Sequence, residues 1–203
     1  MGNTPDKRIG TVGVKNMNVR TLGLFTLAVI IALSGSTLIV GCSTESEEEQ
    51  LSTYNNPAYG INIAYPSDWT ILEEVAGVVV SLLSPKESAT DSFRENLNVV
   101  VNDLSAQPMT LDEYRDFTVD DLELLVTDLN IVYSGETTLS NSPAYELVLT
   151  GEMGGLDKKW MQVCTIKNDK AYVVTYTAEE GKYLDFLVIA QRMIDSFEII
   201  ASQ

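Results

Sequence analysis

The chain has 203 residues, with 13 Lys and Arg against 29 Asp and Glu, a net charge of −16, and no histidine. Such an acidic chain is a poor match for nucleic acid, whose affinity rests on neutralising phosphates, and for an anionic membrane surface. The missing histidine excludes Ser-His-Asp and Cys-His mechanisms and histidine-based zinc sites, and no Walker or Rossmann glycine pattern is present.

Residues 21–41, TLGLFTLAVIIALSGSTLIVG, form an uncharged apolar run preceded by Lys15 and Arg20. A basic flank before an apolar run is the layout of an export signal, although a run of this length also suffices for a transmembrane helix, which takes about 20 residues. The end of the run separates the two. Ile39-Val40-Gly41-Cys42 resembles the lipobox of prokaryotic lipoproteins, in which a small residue admits the backbone to the signal peptidase and the Cys thiol carries the diacylglyceryl group. The resemblance implies a signal peptide over 1–41, lipidation of Cys42, and a mature domain on the outer face of a cell membrane. The region before the run is long, and Met17-Asn18-Val19-Arg20 ahead of the apolar run makes a normal short basic leader, so Met17 is the favoured translation start over Met1. Met1-Gly2 is a poor myristoylation signal, because Asp6 stands where Ser or Thr is required. Residues 42–53 read as the lipidated Cys and an acidic, solvated tether.

Removal of residues 1–41 leaves nine basic and 28 acidic side chains, a net charge of −19. Basic proteins or divalent cations suit that charge as partners, and solubility outside the cell also accounts for it. Residues 54–203 are long enough for one domain with its own core. With Cys42 lipidated, Cys164 has no disulfide partner and reads as a small buried hydrophobe.

In chain order, Ala58–Ala64 alternates as a strand, and Tyr65-Pro66-Ser67-Asp68-Trp69 turns onto an aromatic anchor. Val78–Leu83 and Asn96–Val101 read as strands separated by a polar loop over 84–95. Thr110–Leu129 reads as a helix, opened by the Thr-x-x-Glu capping box of Thr110 and Glu113. Strands follow over Ile131–Thr138, Ala144–Thr150, Lys159–Ile166 and Ala171–Thr177, with turns at Gly151–Asp157 and at Asn168-Asp169. A second Thr-x-x-Glu pattern, Thr177 to Glu180, precedes a helix with the stripe Tyr183, Phe186, Leu187, Ala190, Met193, Ile194 and Phe197. Ala190, its one small member, marks the expected closest approach. Consecutive strands joined by short turns make antiparallel neighbours, so the pattern predicts an α+β sandwich around a mainly antiparallel sheet.

Tyr59-Gly60-Ile61-Asn62-Ile63-Ala64-Tyr65-Pro66-Ser67-Asp68-Trp69 resembles the opening of the PsbP-like domain, and the closing helix with Ser196-Phe197-Glu198 resembles its end. The resemblance runs from about Tyr54 to Ile200. It implies the Mog/PsbP-like α/β/α sandwich, with a second helical layer, and a role in binding or assembly rather than catalysis. The docking and metal-binding roles of basic and histidine residues in photosystem II PsbP do not carry over to an acidic chain without histidine.

Asp112, Asp116, Asp120 and Glu123 recur at spacings that place them near one face of the first helix. Like charges four residues apart repel, and a hard cation such as Ca²⁺, or a basic partner, would relieve them. A solvated helix face gives the same pattern, since a straight helix rarely converges the six or more oxygens Ca²⁺ takes. Trp69 and Trp160 read as packing aromatics. No cofactor is expected. The sequence thus supports a membrane-anchored binding or assembly module without enzymatic activity. The alternatives are a lipoprotein that binds a small ligand or divalent cation, and a carboxylate-based hydrolase.

Overall fold

Strict alternation along the strands divides the core into two layers. In the strand Lys170–Glu179, Tyr172, Val174, Tyr176 and Ala178 join one buried cluster, while Ala171 and Val173 join another on the opposite face. A strand buried on both sides must lie at the centre of a sheet covered on both faces.

The computed structural model describes residues 50–200 apart from Glu74 and Ala76. In chain order the elements are β1 (Leu51–Asn56), β2 (Ile61–Pro66), β3 (Thr70–Leu72), β4 (Val80–Leu83), β5 (Asn96–Asp103), α1 (Leu111–Leu125), β6 (Thr127–Leu139), β7 (Ser142–Met153), β8 (Leu156–Lys167), β9 (Lys170–Glu179), a 3-10 turn (Glu180–Lys182), α2 (Tyr183–Asp195) and β10 (Glu198–Ile199). The main sheet runs β3-β4-β5-β9-β8-β7-β6, and a smaller one runs β1-β2-β10. Every pairing is antiparallel. α1 packs across β6, β7 and β8, while α2 packs on β9 and β2. The fold is the α/β/α sandwich expected from the sequence, with a small second sheet beside α2.

Three two-residue connections set the long meander β6–β9. Ser140-Asn141, Gly154-Gly155 and Asn168-Asp169 each have positive φ at both positions, the twist-matched geometry of hairpin turns. The expected hairpin at Asn168-Asp169 and the turn within residues 151–157 are therefore present.

The strands β6 to β9 each run beyond their expected bounds at both ends, and four other differences concern where the domain, β2 and the helices begin or end. β1 begins at Leu51, so Leu51–Thr53, read as tether, belong to the domain, where they pair with Ala64–Pro66 and lead into buried Tyr54. The strand expected at Ala58–Ala64 is β2, which starts at Ile61, because Pro57–Gly60 form the turn from β1 and Gly60 has a φ of 69°. α1 ends at Leu125 instead of Leu129. Val126 is already extended, and Thr127 pairs with Glu152, so sheet pairing overrides the helical spacing of Leu129. The second capping box does not form. Thr177 is a β9 residue paired with Asn96 and Trp160, and α2 starts at Tyr183 without a side-chain cap.

The first capping box does form. The Thr110 hydroxyl accepts from the Glu113 N–H at 3.2 Å, and the Thr110 N–H donates to the Glu113 carboxylate at 2.8 Å. The Thr110 N–H, together with the Thr110 hydroxyl donating to the same carboxylate at 2.9 Å, holds the Glu113 carboxyl below its usual range. Thr110→Ala should lower stability by about 1 kcal/mol, read as a lower urea midpoint with an unchanged slope; a midpoint equal to that of the parent would show that the cap adds nothing.

Candidate binding surface

The acidic residues expected to share a helix face do lie on α1, and Asp112, Asp116, Asp120 and Glu123 are all exposed. A residue missed by sequence reasoning sits among them. Arg115 reaches Asp112 at 3.3 Å and Asp116 at 2.7 Å, and its guanidinium stacks on the Tyr145 ring at 4.4 Å from the centroid. The hydrogen bond to Asp116 raises the guanidinium further above its ordinary value. Half of the acidic face is thus already paired, and among the described residues no group of three or more carboxylate or thiol ligands converges to hold a metal. The i+3 spacing of Asp112 and Arg115 is the sequence signal for this pairing.

Cys42 lies outside the described residues. Cys164 is buried on β8, and burial pushes its thiol up to about 11, so at neutral pH it is an inert, packed side chain. Trp69 and Trp160 are buried too. Trp69 meets Phe186 edge-on at 6.4 Å, and Trp160 packs with Leu122, Val126, Leu147 and Leu149 beneath α1.

Two surface features stand apart from this packing. The first is a groove of about 490 Å³ where α2 crosses the sheet, lined by Glu146, Met161, Tyr183, Leu187, Val188, Gln191 and Arg192. Burial raises the Glu146 carboxyl above its usual range. Lys159, on the neighbouring strand, stacks over the Tyr183 ring at 4.5 Å. The outer face of α2 beside the groove leaves Leu184 and Val188 exposed.

The second is the edge of the main sheet. β6 pairs with β7 along one side, and among the described residues no strand pairs with its other side. Its register with β7 shifts between Thr127 and Asn130 and again between Ile131 and Tyr133. At these bulges Ile131, Val132 and Tyr133 stand in solvent, with Val132 and Tyr133 each 50 % exposed. Tyr133 lies along the strand over Gly135, where a methyl group would collide with its ring. At the adjoining end of α1, Leu124 is 83 % exposed and Leu125 is exposed as well. Solvent-facing apolar side chains grouped on an uncovered edge are what a partner-binding surface requires.

Taken together, these features define an antiparallel α/β/α sandwich with an open apolar edge and a side groove, and among the described residues no three His, Cys, Asp or Glu side chains group to hold a metal. The family profile described as PsbP-like protein matches residues 38–199, and the chain belongs to that family. Among solved structures, cyanobacterial PsbP (CyanoP) from Synechocystis is similar in fold, with a TM-score of 0.56 at 17 % identity, covering 79 % of this chain and 98 % of that one. LpqN of Mycobacterium tuberculosis, described as involved in cell envelope biogenesis, is similar with a TM-score of 0.53 at 13 % identity, covering 76 % of this chain and 88 % of that one. No curated protein matches the chain. Among the described residues no helix is long and apolar enough to cross a membrane.

Proposed function

We propose that the protein is an extracytoplasmic lipoprotein, anchored through Cys42, that binds a membrane or surface protein as a non-enzymatic assembly module. The observation that carries the binding role is the uncovered β6 edge with Ile131, Val132 and Tyr133 in solvent. The lipobox-like Ile39–Cys42 at the end of an apolar run supports the anchor. PsbP-like membership and the likeness to an envelope-biogenesis protein favour a role at a membrane, and a chain without histidine lacks the commonest general acid–base side chain.

The test uses the full-length protein in intact membranes of its own cell. Mass spectrometry of the mature chain should find Cys42 as a lipidated N-terminus; an intact residue 1–41 segment would refute the anchor. A photo-crosslinking residue at position 132 should give a defined adduct that the same residue at position 168, in a remote hairpin turn, does not. Equal adducts at both positions would refute the binding surface.

The groove supports a second reading, because its volume lies within the range of small-ligand sites. A rise in melting temperature with an apolar small molecule, abolished by Leu187→Lys, would favour it.

A further inference from the structure

The distribution of charge around the β6 edge restricts the kind of chain segment that could pair with it. Leu129–Gly135 contains no charged residue. Around that neutral stretch every charged side chain of β6 and β7 is acidic: Asp128, Glu136 and Glu152, and Glu146, which lines the groove beside α2. The adjoining end of α1 adds Asp120, Asp121 and Glu123, and the helix's one basic residue, Arg115, is held by Asp112 and Asp116. The patch is therefore apolar at its centre and negative at its rim.

The backbone supplies the second element. Beyond the bulge, Tyr133–Leu139 pairs with β7 in unbroken register, so alternate N–H and C=O groups of this stretch face outward in the plane of the sheet. Bulges are a means of blocking edge-to-edge pairing, and here they are confined to the first half of the strand. The second half keeps the geometry that an added strand needs. A second copy of this protein is disfavoured as the guest, because antiparallel pairing of two β6 edges would set one acidic rim against another.

We propose that β6 receives an extended segment of a partner protein as an eighth strand, and that this segment carries apolar residues at its centre and Lys or Arg at its flanks. The inference rests on the binding reading above and names the chemistry of the partner's segment. Main-chain hydrogen bonds along Tyr133–Leu139 hold it, Ile131 and Val132 take its apolar side chains, and the acidic rim takes its basic ends.

The purified domain in solution tests this with three synthetic ten-residue peptides. One has alternating Val and Thr between paired Lys residues, the second has Glu in place of Lys, and the third keeps Lys but has Pro at two central positions. Binding is followed by amide chemical shifts and by calorimetry. The Lys-flanked peptide should shift amides within residues 131–139, bind about tenfold or more tightly than the Glu-flanked one, and weaken as salt rises. The Pro-containing peptide should lose binding, since it cannot form the ladder. Val132→Lys, at an exposed position, should weaken the Lys-flanked peptide about tenfold, whereas Leu184→Lys on α2 should leave it unchanged. Equal binding of the Lys- and Pro-containing peptides would reduce the effect to charge alone and overturn the proposal. A footprint on α2, or a concentration-dependent dimer with β6 protected, would overturn it as well. A position-132 adduct in membranes alongside no preference for the Lys-flanked strand would leave the binding reading standing and sink only this inference.

Discussion

Glu95→Gln should make the protein more stable at pH 8 by about 3 kcal/mol, while leaving it unchanged at pH 4. Glu95 ends the loop between β4 and β5, where its carbonyl accepts from the Ser84 N–H at 2.8 Å. Its side chain is 1 % exposed, and one carboxylate oxygen has no hydrogen-bond partner. Burial is the main cause that lifts its pKa from 4.5 to about 7; a backbone hydrogen bond opposes this, and the charges of Glu87, Asp91 and Glu179 add to it. An acid whose pKa is raised on folding stabilises the fold only while protonated. Its contribution is complete below about pH 4.5 and is lost as pH rises through about 7. The glutamine variant has no such proton to lose. Its melting temperature should exceed the parent's by roughly 5–10 °C at pH 8 and match it at pH 4. Parallel pH profiles for the two proteins would show that Glu95 does not titrate in this range. Lys182 lies within electrostatic reach of the same carboxyl but is committed to Glu87 at 2.8 Å, so it does not neutralise Glu95.

Phe197→Ala should be the most damaging single truncation at the α2 end of the core, costing about 3–5 kcal/mol. Phe197 follows α2 and is 1 % exposed. Its ring lies 6.4 Å from that of Tyr172 on β9. It sits between Ser196, whose hydroxyl accepts from the Ala64 N–H, and Glu198, which pairs with Asn62. Loss of the ring would empty the junction at which α2, the main sheet and the small sheet meet. Chemical denaturation at neutral pH measures the loss; a change below 1 kcal/mol would mean that the neighbouring side chains refill the space. Phe197→Leu should recover most of the difference, as volume-conserving exchanges do.

Much of this architecture was legible in the sequence because the signals were redundant. The α2 stripe is borne out: Tyr183, Ala190, Met193, Ile194 and Phe197 are all buried, and Ala190 is fully enclosed where a small side chain was expected. The strands of the β6–β9 meander were expected near their places, with the turns within residues 151–157 and at Asn168-Asp169, whereas the Ser140-Asn141 turn was not foreseen. The misreadings arose where two local signals competed. Thr177-x-x-Glu180 has the composition of a helix cap, but Thr177 is also a β9 residue with partners on both sides, and ladder pairing prevailed. Leu129 fits helical spacing, but Val126 had already turned the chain into β6. Short β3 and β10 left no trace, since strands of three and two residues are created by the neighbours they pair with. The candidate surface was the least legible part. That Val132 faces water follows from a bulge and from β6 being the last strand of the sheet, and both are properties of the assembled ladder.

The position of Leu51 in β1 has a mechanical consequence. Since β1 is locked against β2 from its first residue, only residues 43–50 separate the folded domain from the anchor proposed at Cys42. Nine backbone steps at roughly 3.3–3.6 Å each give a leash with a contour length of about 30 Å, no longer than the domain is wide. With the chain anchored at Cys42, a leash this short would confine the sandwich to a thin layer over the bilayer, where a membrane-resident target would be met at an effective concentration of the order of millimolar. A contact that is weak between two freely diffusing proteins would then suffice to hold them together.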